Sequence, residues 1–229
     1  RSTLDRSSAA SDVYKRQALL LSIQPDIGQT LLVFFSWSVL IFTSGVSIFL
    51  LFFLFSSIIL IFFYLIFFVS KFTYIKNRLI SFIDSETGTY NFQSDRALES
   101  ITSGGFFGKG IGEGTLKNRV PEAHTDYIIS VISEEFGVIA IILIFLLFLV
   151  FIYSVFKKVN FENDETIKLI LVGSISLILM QTIIHIGVNI RLFPTTGMTL
   201  PFISYGGSSI ISVSILSGII LNFTKRNLN

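Results

Sequence analysis

The feature that most constrains this chain is a run of 44 residues without a charged side chain, from Ile27 to Ser70. A helix needs about 20 apolar residues to cross a bilayer, so the run predicts two membrane helices joined at residues 43–47. The second, Ile48 to Val69, has 22 residues, and at about 1.5 Å per residue it extends roughly 33 Å, enough to cross. The sequence therefore predicts that these helices are surrounded by lipid.

Three more apolar runs predict membrane helices at 137–156, at 169 to about 186 and at 207–223. The uncharged run 192–224 has 33 residues, too many for one simple span. It contains two prolines, so we expect an irregular segment before the final helix. The predicted fold class is an all-α polytopic membrane protein with about five complete transmembrane helices.

Composition supports this class and excludes several others. Hydrophobic residues make up 52% of the chain and charged residues 14%, whereas soluble domains carry about 25% charged residues. The net charge of +2 and the lack of a basic stripe with interleaved aromatics exclude nucleic acid as a partner. The chain has no cysteine, which excludes disulfides, thiolate metal sites and cysteine nucleophiles, and its two histidines cannot build a histidine-rich metal centre.

Loop charges predict the side of the membrane on which each segment lies. A lysine pair at 157–158 separates the third and fourth predicted spans, and a basic pair at 225–226 follows the last span. The positive-inside rule assigns both pairs to the cytoplasmic face. The long segment 71–136 and the segment 187–206 then lie outside.

The first 17 residues are polar, carry six charges and contain no apolar run, so they are not a signal peptide. We expect residues 1–17 to be a foreign or non-native leader. Residues 18–229 are then expected to form one membrane domain, with 71–136 as its large extracytoplasmic loop.

Acidic side chains are densest in PEAHTDYIISVISEEFG at 121–137, just before an apolar run. If a helix runs through this stretch, Glu122 and Asp126 share a face with Ser130. Two carboxylates one turn apart repel, which raises at least one pKa and creates a candidate general base. The alternative is a polar loop leading into a helix. His124 lies off that face and is expected to make a structural hydrogen bond, and the acids at 134–135 are interpreted as solvated groups at the membrane boundary.

The glycine-rich segment GGFFGKGIGEG at 104–114 fits neither the P-loop nor the dinucleotide-binding pattern. Two interpretations remain open. It could form a turn with positive φ angles, or its amides, together with Lys109 and Lys117, could hold a pyrophosphate.

Two further motifs interrupt apolar runs: QPDIGQT at 24–30, which contains Asp26, and FPTTGMTLPFISYGGSS at 193–209. Non-helical backbone at membrane depth is tolerated inside protein or beside water, so they predict a shared cavity that opens outward. The alternative is two ordinary loops just outside the lipid. Gln181, His185 and Asn189 form a polar stripe, interpreted as interhelical packing or cavity lining.

These motifs together, in order with the YNFQSDRALESITSGGFFGKGIGEG segment, resemble the SEDS family (shape, elongation, division and sporulation), polytopic peptidoglycan polymerases that include FtsW and RodA. The resemblance covers about residues 18–226, and PEAHTD favours the division branch. It implies a bundle of ten membrane helices in the bacterial inner membrane with a large periplasmic loop, of which this chain holds the helices from about the sixth onward. Arg191 and Phe193 depart from the small or apolar residues common before the P-T-x-G motif.

The resemblance also implies a chemistry. Asp126 would be the catalytic base that accepts the proton of a GlcNAc 4-hydroxyl as it attacks the MurNAc anomeric carbon of lipid II at a periplasmic active site, and undecaprenyl pyrophosphate would leave with inversion. No organic cofactor is implied, although a divalent cation, Mg²⁺ or Mn²⁺, could help to neutralise the pyrophosphate. The expected substrate-binding residues are Glu122, His124, Lys109, Lys117, Arg119, Asp26, Thr196, Ser204 and Tyr205.

The implied partners are lipid II, membrane lipid, a class B penicillin-binding protein transpeptidase and divisome membrane proteins. Three alternatives stay open beside a division polymerase: a lipid II flippase, a RodA-type elongation polymerase, and a non-catalytic scaffold of the divisome.

Overall fold

The computed structural model describes residues 26–83 and 92–225, and within these ranges it contains helices and no strand. Two short 3₁₀ turns lie at Ser70–Phe72 and Leu116–Arg119. The described ranges contain seven α-helices: α1 (Ile27–Thr43), α2 (Ile48–Phe68), α3 (Thr73–Ile83), α4 (Phe92–Gly104), α5 (Ile128–Phe161), α6 (Glu165–Asn189) and α7 (Gly207–Lys225). The predicted all-α class is confirmed, whereas the proposed leader at residues 1–17 lies outside the described residues.

Four of these helices, α2, α5, α6 and α7, are long and apolar enough to cross a membrane, and α1 is apolar but shorter, with 17 residues. The bounds of α2 and α7 agree closely with the predicted spans, whereas α5 and α6 extend beyond theirs at both ends. Large apolar side chains cover their outer surfaces, as in Phe49 at 84% exposure. Such a surface is stable only in lipid or against other apolar helices. The chain is therefore a multi-pass membrane protein.

The chain divides into two compact units, Arg1–Asn77 and Arg78–Asn229, of which the structure describes 26–77 in the first and 78–83 with 92–225 in the second. In the first, the rings of Phe34 on α1 and Phe55 on α2 pack with centroids 5.1 Å apart. Asp26 caps α1, because its Oδ1 accepts the Gln29 amide at 3.0 Å. Asp26 was predicted to line a cavity, and the structure shows in addition that it stabilises the start of α1.

In the second unit, α6 is the central helix. Its apolar portion is 56% buried within the protein, compared with 17% for α5 and 11% for α7. Its buried face carries Ile175 and Ile178 together with the polar residues His185 and Asn189. Because those polar groups need hydrogen-bond partners in the interior, α6 determines where the neighbouring loops can lie.

Helix α5 is interrupted at Gly137, whose φ of 80° and ψ of 177° are not helical. The turn that follows α4 supplies the missing backbone partners. Gly105 and Phe106 carbonyls accept the amides of Val138 and Ile139 at 3.0 and 3.4 Å. The predicted span from Gly137 is confirmed as the apolar half of α5. The helical turns before it, and helices α3 and α4 within the predicted outer loop, were not predicted.

We expect Gly137→Ala to destabilise the protein by about 3 kcal/mol. The new Cβ would need a strained backbone and would contact the Phe106 carbonyl. Gly112→Ala is the matched control, because Gly112 has a similar φ of 82° but open space around it, so we expect a loss of about 1 kcal/mol. Thermal unfolding of the detergent-solubilised full-length protein measures both, and equal losses would show that close packing at the interruption is unimportant.

Candidate functional site

The candidate site is built around the HTD loop, residues 120–127, which forms consecutive turns immediately before α5. The Glu122 carbonyl accepts three amides, from Thr125 at 3.1 Å, Asp126 at 3.0 Å and Tyr127 at 3.3 Å. Glu122 itself has a φ of +54°, a conformation that L-residues adopt rarely. Of the two alternatives for this stretch, the structure has the polar loop that leads into a helix and not a helix through residues 121–130, because α5 begins only at Ile128.

A tight turn, rather than a helical turn, brings the two carboxylates of the loop into electrostatic contact. The Asp126 carboxyl is partly buried, and burial is the main cause that raises its pKa above the ordinary value, with the charge of Glu122 as a second cause. The expected repulsion between these groups is thus present. Gly197 lies beside the carboxyl, since a Cβ there would be 3.6 Å from the Asp126 Oδ2.

The three carbonyls of His124, Thr125 and Asp126 each accept a hydrogen bond from a distant part of the chain. Tyr205 N donates to His124 O at 3.0 Å, Ser204 Oγ to Thr125 O at 2.7 Å and Asn189 Nδ2 to Asp126 O at 3.0 Å. The donors lie on α6 and in the PTTG segment, which we define as residues 190–206. Backbone on both sides of the Asp126 carboxyl is therefore held in place.

The PTTG segment is in turn held by the polar stripe of α6. His185 Nδ1 lies 2.7 Å from the Met198 carbonyl, and because a carbonyl only accepts, Nδ1 is the donor. Gln181 Nε2 donates to the Thr199 carbonyl at 2.9 Å. The stripe predicted as packing or cavity lining therefore hydrogen-bonds mainly to the PTTG segment, and Gln181 Nε2 also lies 3.4 Å from Ser209 Oγ on α7.

The three predicted substrate-binding residues of the PTTG segment differ in their exposure to solvent. Ser204 is 3% exposed, and its hydroxyl is engaged with Thr125 and with the Leu200 amide at 2.8 Å. Ser204 therefore positions the loop. Tyr205 is 77% exposed, and its backbone bond to His124 places these two residues side by side. Thr196 Oγ1 is buried and has no hydrogen-bond partner among the described residues.

Glu134 was interpreted as a solvated acid at the membrane boundary, and this is wrong. Its side chain is fully buried. One oxygen accepts from Ser100 Oγ at 3.1 Å, and the other accepts the Leu116 amide at 2.9 Å and lies 3.5 Å from Lys109 Nζ. A buried carboxylate is tolerated when such donors surround it, so Glu134 joins α4, α5 and the turn that leads toward the HTD loop.

The glycine-rich segment is a structural turn, and the alternative pyrophosphate nest is not supported. Its amides are used internally: Lys109 N and Gly110 N donate to the carbonyls of Glu134 and Glu135 at 2.8 and 3.0 Å, and Gly112 N donates to the Glu135 carboxylate at 3.2 Å. Four of its glycines have positive φ, as that interpretation requires: Gly105, Gly108, Gly110 and Gly112.

The remaining predicted basic residues are less closely defined. Arg119 is exposed, and the Lys117 side chain is outside what the structure describes. Arg191, noted as a departure from the family pattern, forms an ion pair of 2.5 Å with Asp95 on α4. Asp26 belongs to the first unit, so its proposed place in the same cavity stays a prediction.

The part of the chain that the structure describes contains no site at which protein side chains alone would hold a divalent cation. No three His, Cys, Asp or Glu side chains there come together in an arrangement able to hold a metal. We therefore assign no chemical step to a cation.

The chain is similar to several known proteins. The family model described as "Cell cycle protein", covering FtsW, RodA and SpoVE, matches residues 9–229. The "Probable peptidoglycan glycosyltransferase FtsW" of Caulobacter vibrioides is 36% identical over 219 residues, which are 96% of this chain and 55% of that protein. The protein of the same description from Geobacter metallireducens is 33% identical over 91% of this chain and 56% of its own length.

A solved structure described as "Structural coordination of polymerization and crosslinking by a peptidoglycan synthase complex" is also similar. Its TM-score is 0.78 at 25% identity, and the match covers 97% of this chain and 63% of that one. The chain spans about half the length of the curated relatives it matches.

We expect Glu134→Gln to lower stability by about 1–3 kcal/mol, because a buried amide cannot accept from all the donors that surround the carboxylate. Glu165→Gln is the control, since that carboxylate is 75% exposed in its pair with Lys168 and exposed pairs contribute little. Thermal unfolding compares the variants. Equal melting temperatures for Glu134→Gln and the parent would contradict a structural role for Glu134.

Proposed function

The chain belongs to the cell cycle protein family of FtsW, RodA and SpoVE, and from that membership we propose that the protein carrying it is a peptidoglycan glycosyltransferase of the division type. Its curated relatives are described as probable peptidoglycan glycosyltransferases FtsW. We propose lipid II as the substrate, a glycan strand as the product and the bacterial inner membrane as the location, with the HTD loop facing the periplasm.

One observation carries the chemical part of the proposal: Asp126 combines a raised pKa with a fixed backbone. A general base works best when its pKa approaches the working pH, and burial and the Glu122 charge move the Asp126 pKa in that direction. The three hydrogen bonds to the carbonyls of residues 124–126 fix the backbone that carries this carboxyl, which reduces the cost of orienting it toward a substrate.

The proposed reaction is one displacement. Asp126 takes the proton of the acceptor GlcNAc 4-hydroxyl while its oxygen bonds to the anomeric carbon of the donor MurNAc. The bond from that carbon to the pyrophosphate oxygen breaks, and undecaprenyl pyrophosphate leaves with the electron pair. An α-linked donor and a β-linked product require inversion, so no covalent glycosyl-enzyme forms.

The surroundings of Asp126 suggest roles for the other candidates. His124 and Tyr205 are exposed side chains joined through their backbones, and we propose that they contact the sugars. Of the two basic candidates whose side chains the structure describes, Arg119 is the exposed one that we propose for the pyrophosphate, because Lys109 is already paired with Glu134. Ser204 and Asn189 act as positioning residues.

Partner proteins are part of the same proposal. The similar solved structure is described in terms of both polymerization and crosslinking by a peptidoglycan synthase complex. We therefore propose a class B penicillin-binding protein transpeptidase and divisome membrane proteins as partners. The flippase and scaffold alternatives have no specific observation in their favour.

We expect Asp126→Asn to reduce glycan polymerisation by about 10²–10⁴-fold, the usual contribution of a general base. Purified full-length protein with labelled lipid II measures this rate. Glu113→Gln is the control, because it removes an exposed carboxylate from the same outer segment and should leave the rate unchanged. Polymerisation by Asp126→Asn at the parental rate would refute the proposed base, and lipid II transport in liposomes without polymerisation would favour a flippase.

The pH profile tests the coupling between the two carboxylates. Asp126 must be ionised to accept a proton, so activity should fall as the pH drops through its raised pKa. Glu122→Gln removes the like charge and should lower the Asp126 pKa, which moves the acid limb of the profile to lower pH. Burial is the larger cause of the shift, so the limb should stay above the range of an ordinary carboxyl. An unmoved limb would contradict the coupling.

A further inference from the structure

A cavity of about 570 Å³ lies at the C-terminal end of α5. Six residues line it: Ser154, Lys157, Lys158, Phe161, Glu162 and Asn163. About 20 residues of helix separate Lys157 from Gly137, which corresponds to roughly 30 Å. This distance matches the hydrocarbon thickness of a bilayer, so the cavity lies at the membrane boundary opposite the HTD loop.

The charge of the cavity lining is net positive. Lys157 and Lys158 contribute two ammonium groups, and neither has an acidic partner within the described part of the chain. The single acid in the lining is Glu162. One of its oxygens, Oε1, accepts the amides of Asn163 at 3.0 Å and Asp164 at 3.1 Å, so that oxygen is turned into the chain rather than toward a ligand.

An apolar stripe on α5 leads to this cavity. Leu143, Leu147 and Val150 precede Ser154 at intervals of four, three and four residues, which puts them on one face of the helix. The three apolar side chains are 59%, 62% and 61% exposed. Phe161, at 73% exposure, flanks the cavity at the other end of the same face.

We propose that this cavity binds the phosphate headgroup of an anionic phospholipid, whose acyl chain follows the stripe. The two ammonium groups, the Ser154 hydroxyl and the Asn163 amide are suitable phosphate donors. Its size fits one small polar headgroup. The positive-inside rule explains why lysines occur at this face, but it does not explain why they line a cavity together with a hydroxyl and a side-chain amide.

The test uses full-length protein in detergent and native mass spectrometry with phosphatidylglycerol, phosphatidylcholine or inorganic phosphate. We expect phosphatidylglycerol to be retained in preference to phosphatidylcholine, and inorganic phosphate to displace it poorly. Lys157→Gln and Lys158→Gln should each weaken retention about fivefold, the effect of one lysine near an anionic headgroup. The matched control is Lys225→Gln, which removes an exposed charge from the end of α7 outside this cavity.

Each outcome decides the proposal. Equal losses for all three glutamine variants would show general surface charge and would overturn it, as would equal retention of the two lipids. Complete displacement by inorganic phosphate would assign the cavity to free phosphate instead of lipid. Lys157→Arg keeps the charge and should keep retention, so a loss in this variant as well would point to damaged folding rather than to a phosphate site.

Discussion

The central constraint on this structure is that backbone carbonyls in an irregular segment beside a membrane must find hydrogen-bond donors within the protein. In the HTD loop, three consecutive carbonyls meet this requirement through Asn189, Ser204 and Tyr205. The same bonds fix the backbone of Asp126, whose carboxyl lies beside Gly197. The hydrogen bonds that stabilise the loop therefore also fix the backbone of the residue proposed for catalysis. The polar stripe of α6 supports this arrangement indirectly, because it hydrogen-bonds to the PTTG segment, which contains two of the three donors.

The membrane helices could be predicted from the sequence because a bilayer imposes a length and an apolar composition on every span. The motif residues around Asp126 could also be identified, because acidic side chains beside a hydrophobic run are unusual in themselves. Glu134 could not be assigned in this way. Its partners Ser100 and Leu116 are 34 and 18 residues distant in sequence, and nothing in the pattern SEEFG distinguishes a buried carboxylate from its partly exposed neighbour Glu135.

The glycine-rich segment shows the same division between local and distant information. Positive φ angles are a local property and were anticipated from its composition. Whether its amides can bind a ligand depends on distant residues, since the carbonyls of Glu134 and Glu135 lack helical partners at the interruption of α5. The folded chain shows that these carbonyls accept the amides of Lys109 and Gly110. Ser204 follows this rule too, because its motif suggested substrate contact whereas its burial makes it a positioning group.

The HTD loop is far in sequence from the donors that support it, and this has a consequence for the order in which the protein folds. Ser204 and Thr125 are 79 residues apart, and Asn189 and Asp126 are 63 apart. During synthesis the HTD loop emerges from the ribosome well before its donors do, so α5 must enter the bilayer while that loop is still unsupported. The candidate site gains its geometry only after residue 205 has been made, which makes it a late product of membrane insertion and ties its formation to the correct placement of α6.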